Sequence, residues 1–307
     1  MRAILFPGQG AQEVGMGRAL AERSDAARSI FTQADDVVGY PLSQLCFEGP
    51  QDELVRTDRA QPAIYVTSVA AVCAAEEAGA LDRSVFDVTA GLSLGEYTAC
   101  WFAGVFSFED GLGLVQRRGT AMQEACDAEP SGMVSLLGAD REKAEQVCDS
   151  VRGEGVLVVA NLNSPGQVVI SGSLEACNRA CTAAKAMGVK RAIPLQVAGA
   201  FHSPLMLPAQ QALEGALAET TLSDARIPVV TNVTAEPVTA ADEIRGLLSR
   251  QVVSPVRWED SMRRLAADGL TEAVEPPPGT VLQKLMRKIA PDVAISAVEV
   301  ANGKEEA

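Results

Sequence analysis

The amino-terminal part of the chain alternates short apolar runs with apolar residues at helical spacing. Residues 3–6 form an apolar run that ends at a proline and a glycine, which is typical of a strand followed by a turn. Helical spacing follows over residues 15–36 and 61–78. Residues 85–90 form a second strand-like run, and a helical pattern over 108–125 comes after its glycine-rich turn. Such strand–turn–helix repeats predict an α/β fold with a parallel sheet.

The pattern changes in the middle of the chain. Strand-like and helical segments follow one another there in the order β-α-β-β-α-β, over 132–137, 140–151, 156–160, 167–171, 174–187 and 190–197. This order is that of the split βαβ, ferredoxin-like motif. We therefore predict a ferredoxin-like subdomain at 130–197, inserted into an α/β core made of 1–129 and 198–307.

The last part of the core returns to the first pattern. Strand-like runs lie at 227–231, 271–274 and 293–298, with two helical patterns within 241–267 and one from residue 280. We expect the tail at 302–307 to fray.

The composition limits the classes of partner. The chain has 307 residues, of which 47% are hydrophobic, and 26 Lys and Arg against 40 Asp and Glu give a net charge of −14. An acidic chain with a pI near 4.6 binds nucleic acid and anionic membranes poorly. No run approaches the ~18 apolar residues of a membrane helix, and the first apolar run is too short for a secretory signal. We expect neither nucleic acid nor membrane as a partner.

The cysteine and histidine counts narrow the chemistry further. The seven cysteines include no C-x-x-C pair, and their odd number favours reduced thiols and a cytoplasmic protein. The chain has one histidine, His202, so zinc sites built on several histidines are excluded. Any reaction that needs an imidazole must use His202.

The sequence Gly91-Leu92-Ser93-Leu94-Gly95 fits the G-x-S-x-G pattern of a nucleophile elbow. Small residues are needed because the serine sits on a tight strand-to-helix turn. The backbone N–H of Leu94 then points to the place where an oxyanion forms, near a helix N-terminus. The alternative is a merely structural turn, since the five-residue pattern is common. The apolar strand before it and the apolar helix after it favour a nucleophile at Ser93.

His202 is the candidate base for this serine, because a hydroxyl needs a base to take its proton. Ser203 and Pro204 follow it, and they are typical of an N-cap and a first helical position. The positive end of a helix disfavours imidazolium and keeps the ring able to accept a proton. The alternative is a loop histidine bonded to the backbone, and the lack of any other histidine favours the base.

The helical pattern after the elbow separates two consecutive arginines. Arg117 shares a face with acidic residues and is expected to be solvated. Arg118 lies on the apolar stripe with Met122, where a guanidinium is costly unless it meets an anion. That anion is either an internal carboxylate, such as Glu96 or Glu124, or a substrate carboxylate held by two hydrogen bonds. The spacing leaves both open.

A glycine-rich loop, Pro-Gly-Gln-Gly-Ala-Gln at residues 7–12, follows the first strand and looks like a dinucleotide loop. The G-x-G-x-x-G pattern fails, because Glu13 stands in place of the third glycine. Beside an oxyanion site, the loop is better interpreted as a donor of N–H groups.

Several blocks occur in a fixed order along the chain: FPGQG at 6–10, GLSLGEY at 91–97, QRRG at 116–119, NSPGQVV at 163–169, AFHS at 200–203, and Gln251 with PV at 255–256. Together they resemble the malonyl-CoA:acyl carrier protein transacylase family, close relatives of the acyltransferase domains of polyketide synthases. The resemblance runs essentially end to end. It implies a hydrolase-like α/β core with an inserted ferredoxin-like subdomain.

The resemblance also implies catalytic roles. Ser93 would be the acyl-accepting nucleophile and His202 its base. The backbone N–H groups of Gln9 and Leu94 would bind the oxyanion. Gln251 falls where the family orients the histidine through a backbone carbonyl, so no aspartate is needed.

Substrate-binding roles follow in the same way. Arg118 would bind the malonyl carboxylate, and Met122 is expected to be a substrate-binding residue as well. Phe201 is similar to the pattern of malonyl-selective members. Leu92 departs from the family, which commonly has histidine before the serine, and this departure bears on pocket polarity or acyl preference rather than on the base.

The implied reaction is a ping-pong transfer from malonyl-CoA, through malonyl-Ser93, to the phosphopantetheine thiol of holo acyl carrier protein. It needs no metal and no cofactor, and both fatty acid and polyketide synthesis use it. Two alternatives are a serine thioesterase or esterase and an inactive scaffold that binds the carrier. Arg118 argues against the hydrolase, since neutral acyl groups have no use for it.

An acidic carrier must meet a local basic surface on this acidic chain. The candidates are Lys190, Arg191, Lys284, Arg287 and Lys288. Nothing in the sequence demands more than a monomer, and a monomer is expected.

Overall fold

A computed structural model describes residues 1–298 of the chain. The strands are β1 Arg2–Phe6, β2 Val88–Gly91, β3 Ser131–Leu137, β4 Leu157–Ser164, β5 Gln167–Ser173, β6 Arg191–Pro194, β7 Val229–Val230, β8 Pro237–Val238, β9 Glu272–Glu275 and β10 Ala294–Ala297. The α-helices are α1 Arg18–Arg23, α2 Asp25–Val38, α3 Leu42–Glu48, α4 Gln51–Leu54, α5 Thr57–Glu77, α6 Gly95–Phe102, α7 Phe108–Ala128, α8 Arg141–Val151, α9 Leu174–Ala183, α10 Leu207–Glu219, α11 Ala241–Gln251, α12 Trp258–Ala267 and α13 Val281–Ile289. None of these helices has the length and apolar content of a membrane span.

The larger sheet has six strands in the order β10-β9-β1-β2-β7-β8. β1 pairs in parallel with β2 and β9, and parallel pairing extends to β7 on one side and β10 on the other. β8 runs antiparallel to β7. The α/β fold with a parallel sheet is confirmed.

Both faces of this sheet are covered, as a parallel sheet requires. Side chains alternate along β1: Ile4 and Phe6 pack into the core with α2, α5, α6 and α7, whereas Ala3 and Leu5 pack into the core with α12 and α13. All four side chains are fully buried. The carboxyl ends of β1 and β2 are therefore held firmly side by side, and so are the loops that follow them.

The second sheet is antiparallel, with the order β4-β5-β3-β6. Its elements come in the chain order β3-α8-β4-β5-α9-β6, which confirms the predicted β-α-β-β-α-β pattern. Helices α8 and α9 pack on one face, over Val134 and Ile170. Met133 and Val169 point the other way, into the core of the larger unit. The second sheet therefore forms a wall against the α/β core.

Two of the differences from the predicted helix ranges have a visible cause. The pattern over 15–36 predicted one helix, but the chain extends at Ser24, whose side chain accepts the Ala27 N–H at 3.0 Å and begins α2. Helix α5 begins earlier than residue 61, at Thr57, whose N–H donates to Gln123 of α7 at 3.2 Å. The predicted fraying at 302–307 lies outside the described residues.

Replacing Gly95 with alanine is expected to destabilise the fold. A Cβ at this position would lie 2.1 Å from the Phe6 carbonyl oxygen, so β1 and α6 would have to move apart. We expect Gly95→Ala to lower the free energy of unfolding by about 2 kcal/mol or more in urea titrations.

A matched control is Gly215→Ala in the exposed middle of α10, where a Cβ would meet nothing within 4 Å. This variant should raise the free energy of unfolding by about 0.5–1 kcal/mol, because alanine favours a helix. Equal unfolding midpoints for Gly95→Ala and the wild type would contradict the packing described for the elbow.

Candidate active site

A cleft of about 260 Å³ lies where the carboxyl ends of β1 and β2 meet the second sheet. Gln9 and Ser93 line it from the loops after β1 and β2, Met133 from β3, and Leu285 from α13. Ligands of α/β proteins bind beyond the carboxyl ends of parallel strands. The cleft is therefore the candidate site.

Ser93 lies on a strained turn between β2 and α6. Its φ is 52°, in the left-handed region that residues with a Cβ rarely adopt. A Cβ on Gly91 would lie 1.9 Å from the Gly95 carbonyl carbon, so the turn is closed tightly. Asn232, just after β7, accepts the Ser93 N–H at 2.6 Å and donates to the Gly91 carbonyl at 2.7 Å. The side chain of Asn232 thus holds the turn on both sides of the serine.

His202 faces the Ser93 hydroxyl. Its Nε2 lies 2.8 Å from Ser93 Oγ, and its Nδ1 lies 2.9 Å from the backbone carbonyl of Gln251. Because a carbonyl can only accept, Nδ1 carries the proton and Nε2 accepts from the hydroxyl. Ser203 caps the short turn that follows, accepting the Leu205 N–H at 3.3 Å.

The imidazole of His202 is held neutral mainly by its surroundings. The pKa of His202 is lowered to about 4: burial is the largest cause, the charge of Arg118 adds to it, and the bond to the Gln251 carbonyl opposes both. A neutral ring was expected from a helix N-terminus. The main physical causes are instead burial and a neighbouring cation.

Arg118 is buried beside the same hydroxyl, with 2% of its surface exposed. Nη1 donates to Gln61 Oε1 at 2.6 Å, and Nη2 donates to Ser93 Oγ at 3.0 Å and to Gln251 Oε1 at 2.9 Å. Within residues 1–298 no carboxylate pairs with it, so neither acidic partner considered from the sequence is used. Burial lowers the pKa of Arg118. All its hydrogen bonds within residues 1–298 go to neutral oxygens, while the charge of the buried Glu96 nearby acts to raise the pKa of Arg118.

Gln251, at the end of α11, joins these groups. Its backbone carbonyl accepts from His202, and its side-chain Nε2 donates to the Ser93 carbonyl at 2.9 Å and to Glu96 Oε2 at 2.8 Å. Glu96 is fully buried, and burial raises the pKa of this carboxyl to about 7, against the lowering effect of its bonds to Gln251 and the Asn232 N–H.

The two predicted oxyanion donors belong to the loops that follow β2 and β1. Leu94 is the N-cap residue of α6, so its backbone N–H has no acceptor within the helix. Gln9 lines the cleft from the glycine-rich loop. That loop is pressed against the elbow, because a Cβ on Gly8 would lie 2.3 Å from the Leu92 carbonyl oxygen. Leu92, the residue that departs from the family, lines the cleft as well.

Met122 and Phe201 form apolar walls of the cleft. They are 1% and 6% exposed, respectively. Met122 Sδ accepts from Gln61 Nε2 at 3.5 Å, so one glutamine contacts both this methionine and Arg118. Of the eight predicted site residues, His202 and Arg118 contact the Ser93 hydroxyl, Gln251 bonds to both of them, and Leu94 follows Ser93 in the turn. Gln9, Met122 and Phe201 line the same cleft.

Sequence analysis missed two polar residues of this cluster, Gln61 and Asn232. Gln61 is fully buried in an apolar stretch of α5. A polar residue within such an apolar stretch could have indicated a buried polar contact. Asn232 follows a predicted strand, as binding residues of α/β proteins often do. Asn232 could be assigned to the site only if β7 was known to pair with β2, and the sequence pattern does not give this pairing.

The lowered pKa of His202 can be measured directly, because the chain has one histidine and one imidazole Cε1–H signal in its NMR spectrum. We expect this signal to stay at the neutral position down to about pH 5.5, whereas a free histidine titrates near pH 6.5. The midpoint should lie at about 4.

The matched variant is Arg118→Met, which removes the nearby positive charge. Its midpoint should move upward, towards the free value, because one of the two lowering causes is lost. A wild-type midpoint close to 6.5 would show that the ring is solvated, against the described packing.

Residues 4–303 match the family model described as the acyl transferase domain. The chain is 46% identical to the malonyl CoA-acyl carrier protein transacylase of Bacillus subtilis over 288 aligned residues. These residues make up 94% of this chain and 90% of that protein, so the similarity extends over nearly the whole relative.

The chain is also similar in structure to solved malonyltransferases. The acyl-carrier-protein S-malonyltransferase of Bartonella henselae superposes with a TM-score of 0.94 at 39% identity, covering 97% of this chain and 95% of that one. A type II PKS acyl-carrier protein in complex with its malonyl-transacylase gives a TM-score of 0.92 at 38% identity, with the same coverages of 97% and 95%. The chain belongs to the acyl transferase domain family, among the malonyl CoA-acyl carrier protein transacylases.

Proposed function

We propose that the chain transfers a malonyl group from malonyl-CoA to the phosphopantetheine thiol of an acyl carrier protein, through a malonyl ester on Ser93. The observation that carries this proposal is the environment of one hydroxyl. Ser93 Oγ lies 2.8 Å from a neutral imidazole nitrogen and 3.0 Å from a buried guanidinium. The names of the relatives and the solved complex with a carrier protein support the same substrates.

In the first half-reaction Ser93 Oγ attacks the thioester carbonyl carbon while His202 Nε2 takes the hydroxyl proton. The negative charge that develops on the carbonyl oxygen is stabilised by the N–H groups of Gln9 and Leu94. The C–S bond then breaks, His202 returns the proton to the leaving sulfur, and CoA departs as the thiol. Malonyl-Ser93 remains.

In the second half-reaction the same groups act in reverse. His202 takes the proton of the carrier's phosphopantetheine thiol, and the sulfur attacks the ester carbonyl. The bond to Ser93 Oγ breaks, and the proton returns to that oxygen. Because a thioester is exchanged for an ester and then for a thioester, no metal or cofactor is required. Burial of the site by Met122 and Phe201 keeps water away from the ester.

Arg118 selects a carboxylated acyl group. Its Nη1 has one N–H beyond the one given to Gln61, and its Nε–H has no partner within residues 1–298. A malonyl carboxylate supplies the anion that this guanidinium lacks. It also neutralises one of the charges that lower the pKa of His202, so binding of the correct substrate strengthens the base.

A basic surface beside the mouth of the cleft receives the anionic partners. Arg191 of β6 and Gln167 of β5 both lie opposite Leu137 of β3, so they share one row at the end of the second sheet. Lys288 of α13 lies 3.5 Å from Gln167, which lines the cleft. Lys190 precedes the row, and all these cations are exposed.

Helix α13 carries the other candidates. Lys284 and Arg287 are exposed on it, and Leu285 of the same helix lines the cleft. Within residues 1–298 none of the five predicted cations forms a salt bridge, so their charges are available to a partner. On a chain of net charge −14, this surface is where an acidic carrier can approach.

Two further expectations belong to the proposal. The seven cysteines are all free, which supports a cytoplasmic, reducing compartment. The proposed reaction needs no residue beyond those of this chain, so we also propose that the protein acts as a monomer.

The role of Arg118 is tested by comparing acyl groups. After mixing with malonyl-CoA, the wild type should carry a malonyl mass adduct on Ser93 that outlives the mixing time. In Arg118→Ala, kcat/KM for malonyl transfer should fall about 10²-fold or more, while acetyl transfer from acetyl-CoA changes far less.

The neighbouring residue provides the control. Arg117 is 65% exposed, and its one salt bridge within residues 1–298 is to Glu219 at 4.0 Å, so Arg117→Ala should behave as the wild type. Equal losses of malonyl and acetyl transfer in Arg118→Ala would indicate a structural arginine. Rapid release of free malonate by the wild type, with no adduct, would indicate a hydrolase instead.

The basic surface is tested by reversing the charges of Lys284 and Lys288 together. Transfer from preformed malonyl-Ser93 to holo acyl carrier protein should slow about tenfold at low salt, and the difference should shrink as salt is added. Transfer to free pantetheine, which is uncharged, should not change.

Lys143→Glu is the matched control. Lys143 lies on α8, which packs on the face of the second sheet that points away from the cleft. Unchanged carrier-dependent rates in the double reversal would remove this surface from the proposal.

A further inference from the structure

Glu96, in the first turn of α6, is a buried carboxylate that the reaction above does not use. It is fully buried and does not face the cleft. Its Oε2 accepts two hydrogen bonds, from Gln251 Nε2 at 2.8 Å and from the Asn232 N–H at 3.0 Å. Its Oε1 has no partner within the described residues. A proton on this carboxyl would therefore sit on Oε1, and Oε2 remains an acceptor in either protonation state.

The bond from Gln251 determines which way its side-chain amide faces. Nε2 has two N–H groups, and they donate to Glu96 Oε2 and to the Ser93 carbonyl. With Nε2 held on that side, Oε1 faces Arg118 and accepts from Nη2 at 2.9 Å. If the amide turned over, its N–H groups would face those of the guanidinium, and two donors cannot bond each other.

The backbone of Gln251 has a separate task. Its carbonyl accepts from His202 Nδ1 at 2.9 Å, and this bond does not depend on the side-chain amide. A change in amide orientation therefore disturbs Arg118 and leaves the tether of the base in place.

We propose that Glu96 is a positioning residue for substrate selection: by accepting from Gln251 Nε2 it fixes the orientation of the Gln251 amide, and thereby holds Arg118 where it meets the carboxylate of the acyl group. This inference rests on the proposed function, in which Arg118 binds the malonyl carboxylate. Glu96 acts through Gln251 and touches neither substrate nor reacting atoms.

Two replacements of Glu96 separate hydrogen-bond acceptance from charge. Glu96→Gln is uncharged, but its carbonyl oxygen can take the place of Oε2, with its amide nitrogen in the place of the unpartnered Oε1. Glu96→Leu is uncharged and has no acceptor, so Gln251 Nε2 keeps only the Ser93 carbonyl. Both variants leave a buried polar group without a partner, and both are expected to lower stability.

The measured quantity is the ratio of kcat/KM for malonyl-CoA to that for acetyl-CoA, with holo acyl carrier protein as acceptor. We expect Glu96→Leu to lower this ratio about tenfold through the malonyl value, and Glu96→Gln to keep it within about threefold of the wild type. A merely structural role would lower both transfers together and leave the ratio unchanged.

Two results would overturn the inference. An unchanged ratio in Glu96→Leu would show that the amide needs no such support. An equal loss in both variants would show that the charge of Glu96, and not its acceptor, is what matters.

If Glu96→Leu does not fold, Gln251→Met tests the same hydrogen bond by removing its donor, Gln251 Nε2. It keeps the backbone carbonyl that holds His202 and removes the amide, so the ratio should again fall about tenfold. A wild-type ratio in Gln251→Met would overturn the inference. Failure of the proposed function is distinct, because the wild-type protein would then form no malonyl adduct at all.

Discussion

A buried guanidinium that is hydrogen-bonded to no carboxylate within residues 1–298 is the constraint on which the site depends. Arg118 is 2% exposed, and its hydrogen bonds go to the neutral oxygens of Gln61, Ser93 and Gln251. Burying an unpaired cation costs several kcal/mol, even after partial solvation by dipoles. A fold keeps such a group where an anion arrives during function. The proposed substrate brings that anion, so the electrostatic cost of the resting site becomes selectivity for a carboxylated acyl group.

The rest of the architecture keeps the reacting groups at fixed distances around this cation. The core on both faces of β1 and β2 holds the elbow, and Asn232 braces it from the neighbouring strand β7. Glu275, at the end of β9, accepts the N–H groups of Leu282 and Gln283 and thereby anchors the first turn of α13. That helix lines one side of the cleft through Val281 and Leu285. Sheet order thus determines which loops meet. The loops supply Gln9, Ser93 and His202, while helices α7 and α11 supply Arg118 and Gln251.

Much of this arrangement could be predicted from the sequence. Three of the signals are local: the G-x-S-x-G elbow, the single histidine, and the arginine on the apolar stripe of its helix. They can be recognised because turn geometry and helical periodicity depend on nearby residues. The contacts that link them are not local. Gln251 lies 158 residues from Ser93 along the chain, and its side-chain bonds follow from packing of α11 against the elbow. Gln251 stands out in no periodic pattern, and it was predicted as a site residue only from the family resemblance.

The neutral imidazole illustrates the same limit. Its protonation state was predicted from a helix N-terminus, a local feature, whereas burial and the charge of Arg118 are the main causes. Both depend on the assembled core. The break at Ser24 and the early start of α5 at Thr57 are likewise set by capping and by a contact with α7, which override the hydrophobic period.

A crystal structure of the malonyl-Ser93 form tests the central claim most directly. The account predicts that the malonyl carboxylate lies about 3 Å from nitrogens of the Arg118 guanidinium, held by two hydrogen bonds. A well-ordered malonyl ester whose carboxylate points out of the cleft, with Arg118 still bonded only to its resting partners, would contradict it.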